Sequence, residues 1–132
     1  MRILYDSNVL VTILSRRESI LAFKEEITSK GIIHISSRYI LSEVEAVLVE
    51  KLRLTKQKAK TATRLLSRQS IVVDPKNIEK ICRDPFDDYV LAAAVGGKAK
   101  YLVTADKDLL VLKAYKSVEI ITPGEFRKIV ED

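Results

Sequence analysis

Acidic side chains at the ends of short apolar runs are the residues of this sequence best suited to chemistry. Asp6 follows the first such run, in ILYDSNVL, and Asp106 follows a later one, in YLVTADKDLL. In open α/β sheets, ligands bind beyond the carboxyl ends of the strands, so we expect these two carboxylates to face one crevice. Oxygen ligands without thiolate or imidazole neighbours favour Mg²⁺ or Mn²⁺. The sequence therefore predicts a divalent-metal site that further acids must complete.

Glu43 differs from the other acids in its place on a predicted helix. It lies three residues after Ile40 and four before Val47, a spacing that sets all three on one helical face. Glu45 falls on the opposite side, where a solvated acid belongs. A carboxylate that faces the core is costly unless something pairs with it. We therefore expect Glu43 to face inward and bind a cation, with pairing to a nearby Lys or Arg as the alternative.

The segment DPFDDYVLAAAV holds three acids with different expected roles. Asp84, Pro85 and Asp87 form the start signal of a helix, with a capping Asp, Pro at the first helical position and an acid in the first turn. Asp88 then opens the apolar run 89–95 and should point inward. Asp88 is thus the expected third carboxylate of the site, and Asp87 is its alternative.

Carboxylates gathered in one crevice repel one another unless cations bind between them. Asp108, two residues after Asp106, either adds a metal ligand or caps the short turn at 109–110, and both interpretations stay open. Metal ions held by such a group can activate water and stabilise charge on a phosphate. The acids therefore predict a metal-dependent phosphodiesterase.

Composition limits the other classes of function. The 132 residues fit one domain, and 47% of them are hydrophobic, enough for a continuous core. The net charge of +5 favours approach to a polyanion such as RNA. No apolar run reaches the roughly 20 residues that span a bilayer, and the opening segment lacks a signal-peptide cleavage site. We expect a soluble, cytoplasmic protein.

Sulfur and imidazole chemistry is disfavoured. The single cysteine, Cys82, cannot form an internal disulfide, which agrees with a reducing compartment. With the single histidine, His34, it could form a nucleophilic pair, but a buried structural thiol is the better interpretation. Zinc would need Cys and His ligands that the chain lacks.

The elements that must position the acids follow from alternating patterns. Short β-branched runs alternate with longer amphipathic ones, which is typical of a parallel sheet covered by helices. We predict strands at 3–5, 32–36, 70–73, 101–104 and 118–121, and helices at 8–15, 19–29, 37–51, 55–68, 87–95 and 123–130. Thr55 and Thr122 are the expected N-caps of two of these helices. Right-handed crossovers would join them into a three-layer α/β/α sandwich with a mainly parallel sheet of four to five strands.

The motifs ILYDSNVLVTIL, LSEVEAVL, DPFDDYVLAAAV and YLVTADKDLL, in this order, resemble those of the PIN-domain family. The resemblance extends over nearly the whole chain, to about Phe126. It implies an α/β/α nuclease that cuts RNA with Mg²⁺ or Mn²⁺, as in the VapC-like toxins of toxin–antitoxin pairs. The acidic quartet that it implies is Asp6, Glu43, Asp88 and Asp106.

The resemblance also implies supporting residues and partners. Asn8 and Thr104 would hydrogen-bond to carboxylates or to metal-bound water. The partners would be an RNA substrate, a small antitoxin protein and a second copy of the chain, the homodimer meeting through apolar surface of 40–54 or of the early helices.

Arginines near the expected crevice are the candidates for binding phosphate. Arg16 and Arg17 follow the first predicted helix, whereas the basic residues of 51–68 are better explained as a solvated face. With three Phe and five Tyr in the chain, we expect no platform for stacking bases.

Three other functions compete with the nuclease. A response-regulator receiver would need an acceptor such as Asp74 after the third strand, but 121–123 supply no lysine after the fifth. A haloacid-dehalogenase-type phosphatase would need a second Asp where Asn8 stands. A non-catalytic nucleic-acid-binding domain would have no need of the acidic quartet.

Overall fold

Six strands form one sheet in the computed structural model, which describes residues 1–16 and 20–131. The strands are β1 (Arg2–Tyr5), β2 (Ile33–Ser37), β3 (Ser70–Val73), β4 (Tyr101–Val103), β5 (Ala114–Tyr115) and β6 (Val118–Ile121). Their order is β3-β2-β1-β4-β6-β5, and only the β5–β6 pairing is antiparallel. The mainly parallel α/β fold is therefore confirmed. The sheet has one strand more than predicted, because the two residues of β5 are too few to show a period.

Helices flank the sheet. They are α1 (Ser7–Ser15), α2 (Ile20–Lys30), α3 (Arg38–Glu50), α4 (Lys56–Arg68), α5 (Pro85–Gly96), α6 (Lys107–Leu110) and α7 (Pro123–Glu131). Both predicted threonine caps are present: Thr55 Oγ1 accepts from Lys58 N at 3.1 Å, and Thr122 Oγ1 accepts from Glu125 N at 3.1 Å. None of the helices in the described ranges is long and apolar enough to span a membrane.

Side-chain alternation along β2 shows that helices cover both faces of the sheet. His34 meets the ring of Phe23 in α2 at 5.0 Å between centroids. Ile35, which points to the other face, packs so closely on Gly97 at the end of α5 that a Cβ at Gly97 would overlap its methyl group. Strands covered on both faces explain why the strand segments read as continuous apolar runs.

The single histidine is part of this core. His34 is 1% exposed, and burial lowers its pKa to about 3, so the ring is neutral. Ser70 Oγ donates to Leu66 O at 2.8 Å, which makes it the acceptor for His34 Nδ1 at 2.7 Å. Burial also raises the pKa of the Cys82 thiol to about 11. The second ring nitrogen, His34 Nε2, accepts from Tyr5 N at 3.4 Å, so neither nitrogen of His34 pairs with Cys82.

The sheet order places a binding crevice beyond β1 and β4. From β1 the chain adds β2 and β3 on one side, and it then returns to add β4 and β6 on the other. The carboxyl ends of β1 and β4 therefore flank the point where the order reverses, which is where open α/β sheets bind ligands. Asp6 directly follows β1, and Thr104 directly follows β4.

Candidate metal centre

Three aspartates, Asp87, Asp106 and Asp108, bring carboxylate oxygens within 4.8 Å of one another. Asp87 lies in the first turn of α5 and is 4% exposed. Asp106 caps α6, and its Oδ1 accepts from Asp108 N at 2.9 Å. Two helix starts thus present their acids to a common space beyond β4. This is a set of hard oxygen ligands at a spacing that one divalent cation could bridge.

Asp6 joins this group through a buried hydroxyl. Asp6 is 3% exposed, and its Oδ1 caps α1 by accepting from Ser7 N at 2.8 Å. Its Oδ2 accepts from Thr104 Oγ1 at 2.7 Å, and the same hydroxyl oxygen accepts from Asp106 N at 3.0 Å. Thr104 thereby fixes the Asp6 carboxylate relative to the loop that carries Asp106.

The electrostatics of the crevice oppose the charged state of its acids. Burial, together with the charges of Asp106, Asp84, Asp6 and Asp108, raises the pKa of Asp87 to about 7. Burial also raises the pKa of Asp6, against the hydrogen bonds from Thr104 and Ser7. A divalent cation would relieve this repulsion. The oxygen-only donor set and its unrelieved charge therefore fit Mg²⁺ or Mn²⁺.

Asp88 does not point into the crevice, contrary to the sequence expectation. Its Oδ1 accepts from Ile81 N at 3.0 Å and from Cys82 N at 2.7 Å. Burial acts to raise the pKa of Asp88, but these hydrogen bonds outweigh it and lower the pKa. One residue along a helix turns a side chain by about 100°, so Asp87 and Asp88 serve different sides of α5. Of the two, the structure brings Asp87 to Asp106.

Glu43 does not face the core either. The buried stripe of α3 is Ile40, Val44 and Leu48, and Glu43 lies at its margin with an exposed side chain. The half-buried acid is Glu45, which accepts from Thr63 Oγ1 at 3.4 Å. The stripe is narrower than the sequence pattern suggested, because the buried positions recur every four residues. The charge of Glu43 nevertheless helps to raise the pKa of Asp6, so Glu43 stands at the rim of the crevice.

Of the other predicted site residues, Asn8 lies near the acids and Arg16 does not. Asn8 Oδ1 accepts from Ala105 N at 3.5 Å, so Asn8 contacts the loop between Thr104 and Asp106 rather than a carboxylate. Arg16 follows the last residue of α1, and Asp6 caps the other end of that helix. Arg16 therefore lies away from the acids, beside Glu26, and the expectation that it flanks the crevice is wrong. Arg17 lies outside the described residues.

Arg83 is a cation at the site that the sequence analysis missed. Its Nη2 donates to Asp108 Oδ1 at 2.9 Å and to Oδ2 at 3.1 Å. The Arg83 side chain is 86% exposed, and an exposed ion pair of this kind contributes at most about 1 kcal/mol. The guanidinium can therefore leave Asp108 for another anion at little cost. Its place immediately before DPFDD was the available signal.

The acceptor that a receiver would use lies elsewhere. Asp74 follows β3 at the edge of the sheet, is 81% exposed and pairs with Lys76 at 3.1 Å. It does not belong to the group of acids that the described part of the chain brings together.

Comparison with known proteins gives a family and a fold. Residues 2–108 match the sequence model described as PIN domain. Among solved structures, the chain is similar to a chain in the crystal structure of VapBC2 from Rickettsia felis bound to a DNA fragment from their promoter. The two chains share 12% sequence identity and superpose with a TM-score of 0.61, over 92% of this chain and 98% of the other. No curated protein matches the chain significantly.

Proposed function

Because the chain belongs to the PIN-domain family, we propose that residues 1–132 form one nuclease domain, a metal-dependent endoribonuclease that hydrolyses phosphodiester bonds of RNA. The observation that carries the proposal is the group Asp87, Asp106 and Asp108, with Asp6 tied to it through Thr104. These acids come from three chain segments and lie at the switch point of the sheet. No ion pair among the described residues neutralises Asp6 or Asp87, which leaves a cation as their natural partner.

Each acid has a role that its position suggests. Asp6, Asp87 and Asp106 would hold Mg²⁺ or Mn²⁺. Asp108 would add a further ligand in place of its ion pair with Arg83, and Glu43 would add negative charge at the rim of the crevice. Thr104 is a positioning residue, because its hydroxyl orients Asp6 and the Asp106 backbone. A bound cation would activate water and neutralise charge on the phosphate. Arg83, freed from Asp108, is better placed than Arg16 to contact an RNA phosphate.

Removal of divalent metal should abolish RNA cleavage. With purified protein and labelled single-stranded RNA, we expect cleavage in Mn²⁺ or Mg²⁺, loss of cleavage in excess EDTA, and recovery when Mn²⁺ is added back. RNA cutting that persists in EDTA would refute the metal mechanism. RNA binding without cutting in Mn²⁺ would favour a non-catalytic binding domain, and covalent labelling by a phosphoryl donor would favour the receiver.

The biological role that we propose is the toxin of a toxin–antitoxin pair, acting in the cytoplasm as a homodimer. The VapBC2 structure, one of whose chains shares this fold, supports a small antitoxin as partner. A groove of about 920 Å³ between α1, α3 and α4 offers a docking surface. Its described lining is largely apolar, with the cations Arg53 and Lys58 and no acid. We therefore expect an amphipathic antitoxin segment with acidic residues.

A charge placed in this groove should separate antitoxin binding from catalysis. Leu52 lines the groove and is 40% exposed, so Leu52→Asp should weaken binding of the protein encoded by the neighbouring reading frame at least about tenfold. RNA cleavage should stay within about twofold of the unsubstituted protein. Ile129→Asp on α7, which is 37% exposed, is the matched control. Equal antitoxin binding by the two variants would place the antitoxin elsewhere.

The proposed homodimer has its own test. Sedimentation that shows only monomer would contradict it.

A further inference from the structure

Two tyrosines form an exposed aromatic pair at the same edge of the sheet as the acids. The rings of Tyr39 and Tyr89 stack with centroids 4.0 Å apart and an interplanar angle of 23°. Tyr39 is in the first turn of α3 and is 46% exposed, whereas Tyr89 is half-buried in α5. The pair is therefore partly open to solvent through Tyr39. The low aromatic content of three Phe and five Tyr led us to expect no such surface. The pair joins two residues that lie far apart in the chain.

The position of the pair relative to the acids is set by the strands. β2 ends at Ser37 and leads directly into α3, so Tyr39 stands just beyond the carboxyl end of β2. β1, which carries Asp6 at its end, is the neighbouring strand. Neighbouring strands are about 4.8 Å apart. The tyrosine pair and Asp6 therefore lie beyond the carboxyl ends of neighbouring strands, at the same edge of the sheet.

Two further residues of α3 lie close to the tyrosine pair: Glu43 links this side of the helix to Asp6, and Arg38 offers a cation. Glu43 is one helical turn after Tyr39, on the same side of α3, and its charge reaches Asp6. Arg38, next to Tyr39, is exposed and forms no ion pair with the described residues. A ring face and an unpaired guanidinium are the two groups that hold a base and a phosphate of an unpaired strand.

We propose that Tyr39, backed by Tyr89, is a stacking platform for an unpaired RNA base next to the bond that is cut, and that Arg38 holds the adjoining phosphate. This inference rests on the proposed ribonuclease function and adds to it a subsite for one base of the substrate. Tyr39 acts as a positioning residue for the substrate and does not touch the metal.

The test separates substrate binding from chemistry. Tyr39→Ala should raise KM for a short single-stranded RNA about tenfold, as expected for loss of one stacked base, with kcat within about twofold. Tyr39→Phe keeps the ring and should keep the original KM. Leu21→Ala, which removes a side chain 59% exposed on α2, is the surface control and should change neither constant. An unchanged KM in Tyr39→Ala, or an equal loss in Tyr39→Phe, would overturn the platform.

A second readout does not depend on cleavage. An RNA that carries 2-aminopurine loses fluorescence when this base stacks on a ring, and the chain has no tryptophan to interfere. On mixing, before product accumulates, the unsubstituted protein and Tyr39→Phe should quench the probe, and Tyr39→Ala should quench it much less. Quenching without RNA cleavage would refute the proposed ribonuclease function and support the stacking platform. Cutting with equal quenching by the unsubstituted protein and Tyr39→Ala would remove the platform and keep the ribonuclease.

Discussion

Asp87→Asn is expected to lower metal-dependent RNA cleavage at least about 100-fold, whereas Asp88→Asn should leave it within about threefold. Asp87 lies in the group with Asp106 and Asp108, and its replacement removes a ligand and a negative charge from the site. Asp88 instead accepts two backbone hydrogen bonds with one oxygen, which asparagine can also do. The two substitutions are adjacent and isosteric, so each serves as the control of the other. The opposite ranking would return Asp88 to the site.

Substitutions at the same two positions should have different effects on the stability of the metal-free protein. The pKa of Asp87 is raised from 3.8 to about 7, so its contribution to stability is full below pH 4 and is lost as the pH rises through about 7. Asp87→Asn should therefore be more stable than the unsubstituted protein above pH 7. We expect a gain on the order of 1–2 kcal/mol, which is less than the full pKa shift implies because water in the crevice screens part of the repulsion. Asp88→Ala should unfold more easily, because it leaves two N–H groups unpaired. Thermal unfolding in EDTA from pH 4 to 8 measures both effects.

Asp6→Asn should also lower cleavage at least about 100-fold without unfolding the protein. Asparagine caps helices as well as aspartate, so the hydrogen bond from Ser7 N at 2.8 Å can persist. What is lost is the charge that faces Asp106 and Glu43, together with the oxygen that accepts from the Thr104 hydroxyl. A substitution of Thr104, which hydrogen-bonds to Asp6, gives a matched comparison. Thr104→Val removes the hydroxyl that orients Asp6 and should cost about 10- to 100-fold in activity.

The double variant tests whether these residues act together. If Thr104 works by orienting Asp6, then Thr104→Val should have little further effect in the Asp6→Asn background. Multiplicative losses would mean that the two residues act independently. Cleavage by Asp6→Asn within about threefold of the unsubstituted protein would remove Asp6 from the proposed site.

The parts of the site that could be predicted from sequence are those fixed by strand ends. Asp6 directly follows one buried apolar run and Asp106 lies three residues beyond the end of another. Parallel strands bring their carboxyl ends to one edge whatever the details of packing. The helix caps at Thr55 and Thr122 were equally local, since each depends on residues within one turn. Such features need no knowledge of the tertiary fold.

The parts that could not be predicted depend on helix rotation and on distant contacts. The position of an apolar stripe can be inferred from sequence only to within about one residue, or 100° of helix rotation. This error is large enough to confuse Asp87 with Asp88 and to place the exposed Glu43 on the buried face. The Arg83–Asp108 ion pair and the Tyr39–Tyr89 stack each join residues from distant parts of the chain. No local pattern records these pairs.

Direct titration of the metal-free protein with Mn²⁺ by calorimetry tests the central claim, that carboxylates from separate segments together bind a divalent cation. We predict binding that is tighter at pH 8 than at pH 6, with release of protons, because the Asp87 carboxyl must lose its proton near pH 7 before it can bind the ion. Asp87→Asn should weaken this binding, and Asp88→Asn should leave it unchanged. An absence of Mn²⁺ binding at pH 8, or equal affinity in the unsubstituted protein and Asp87→Asn, would contradict the account.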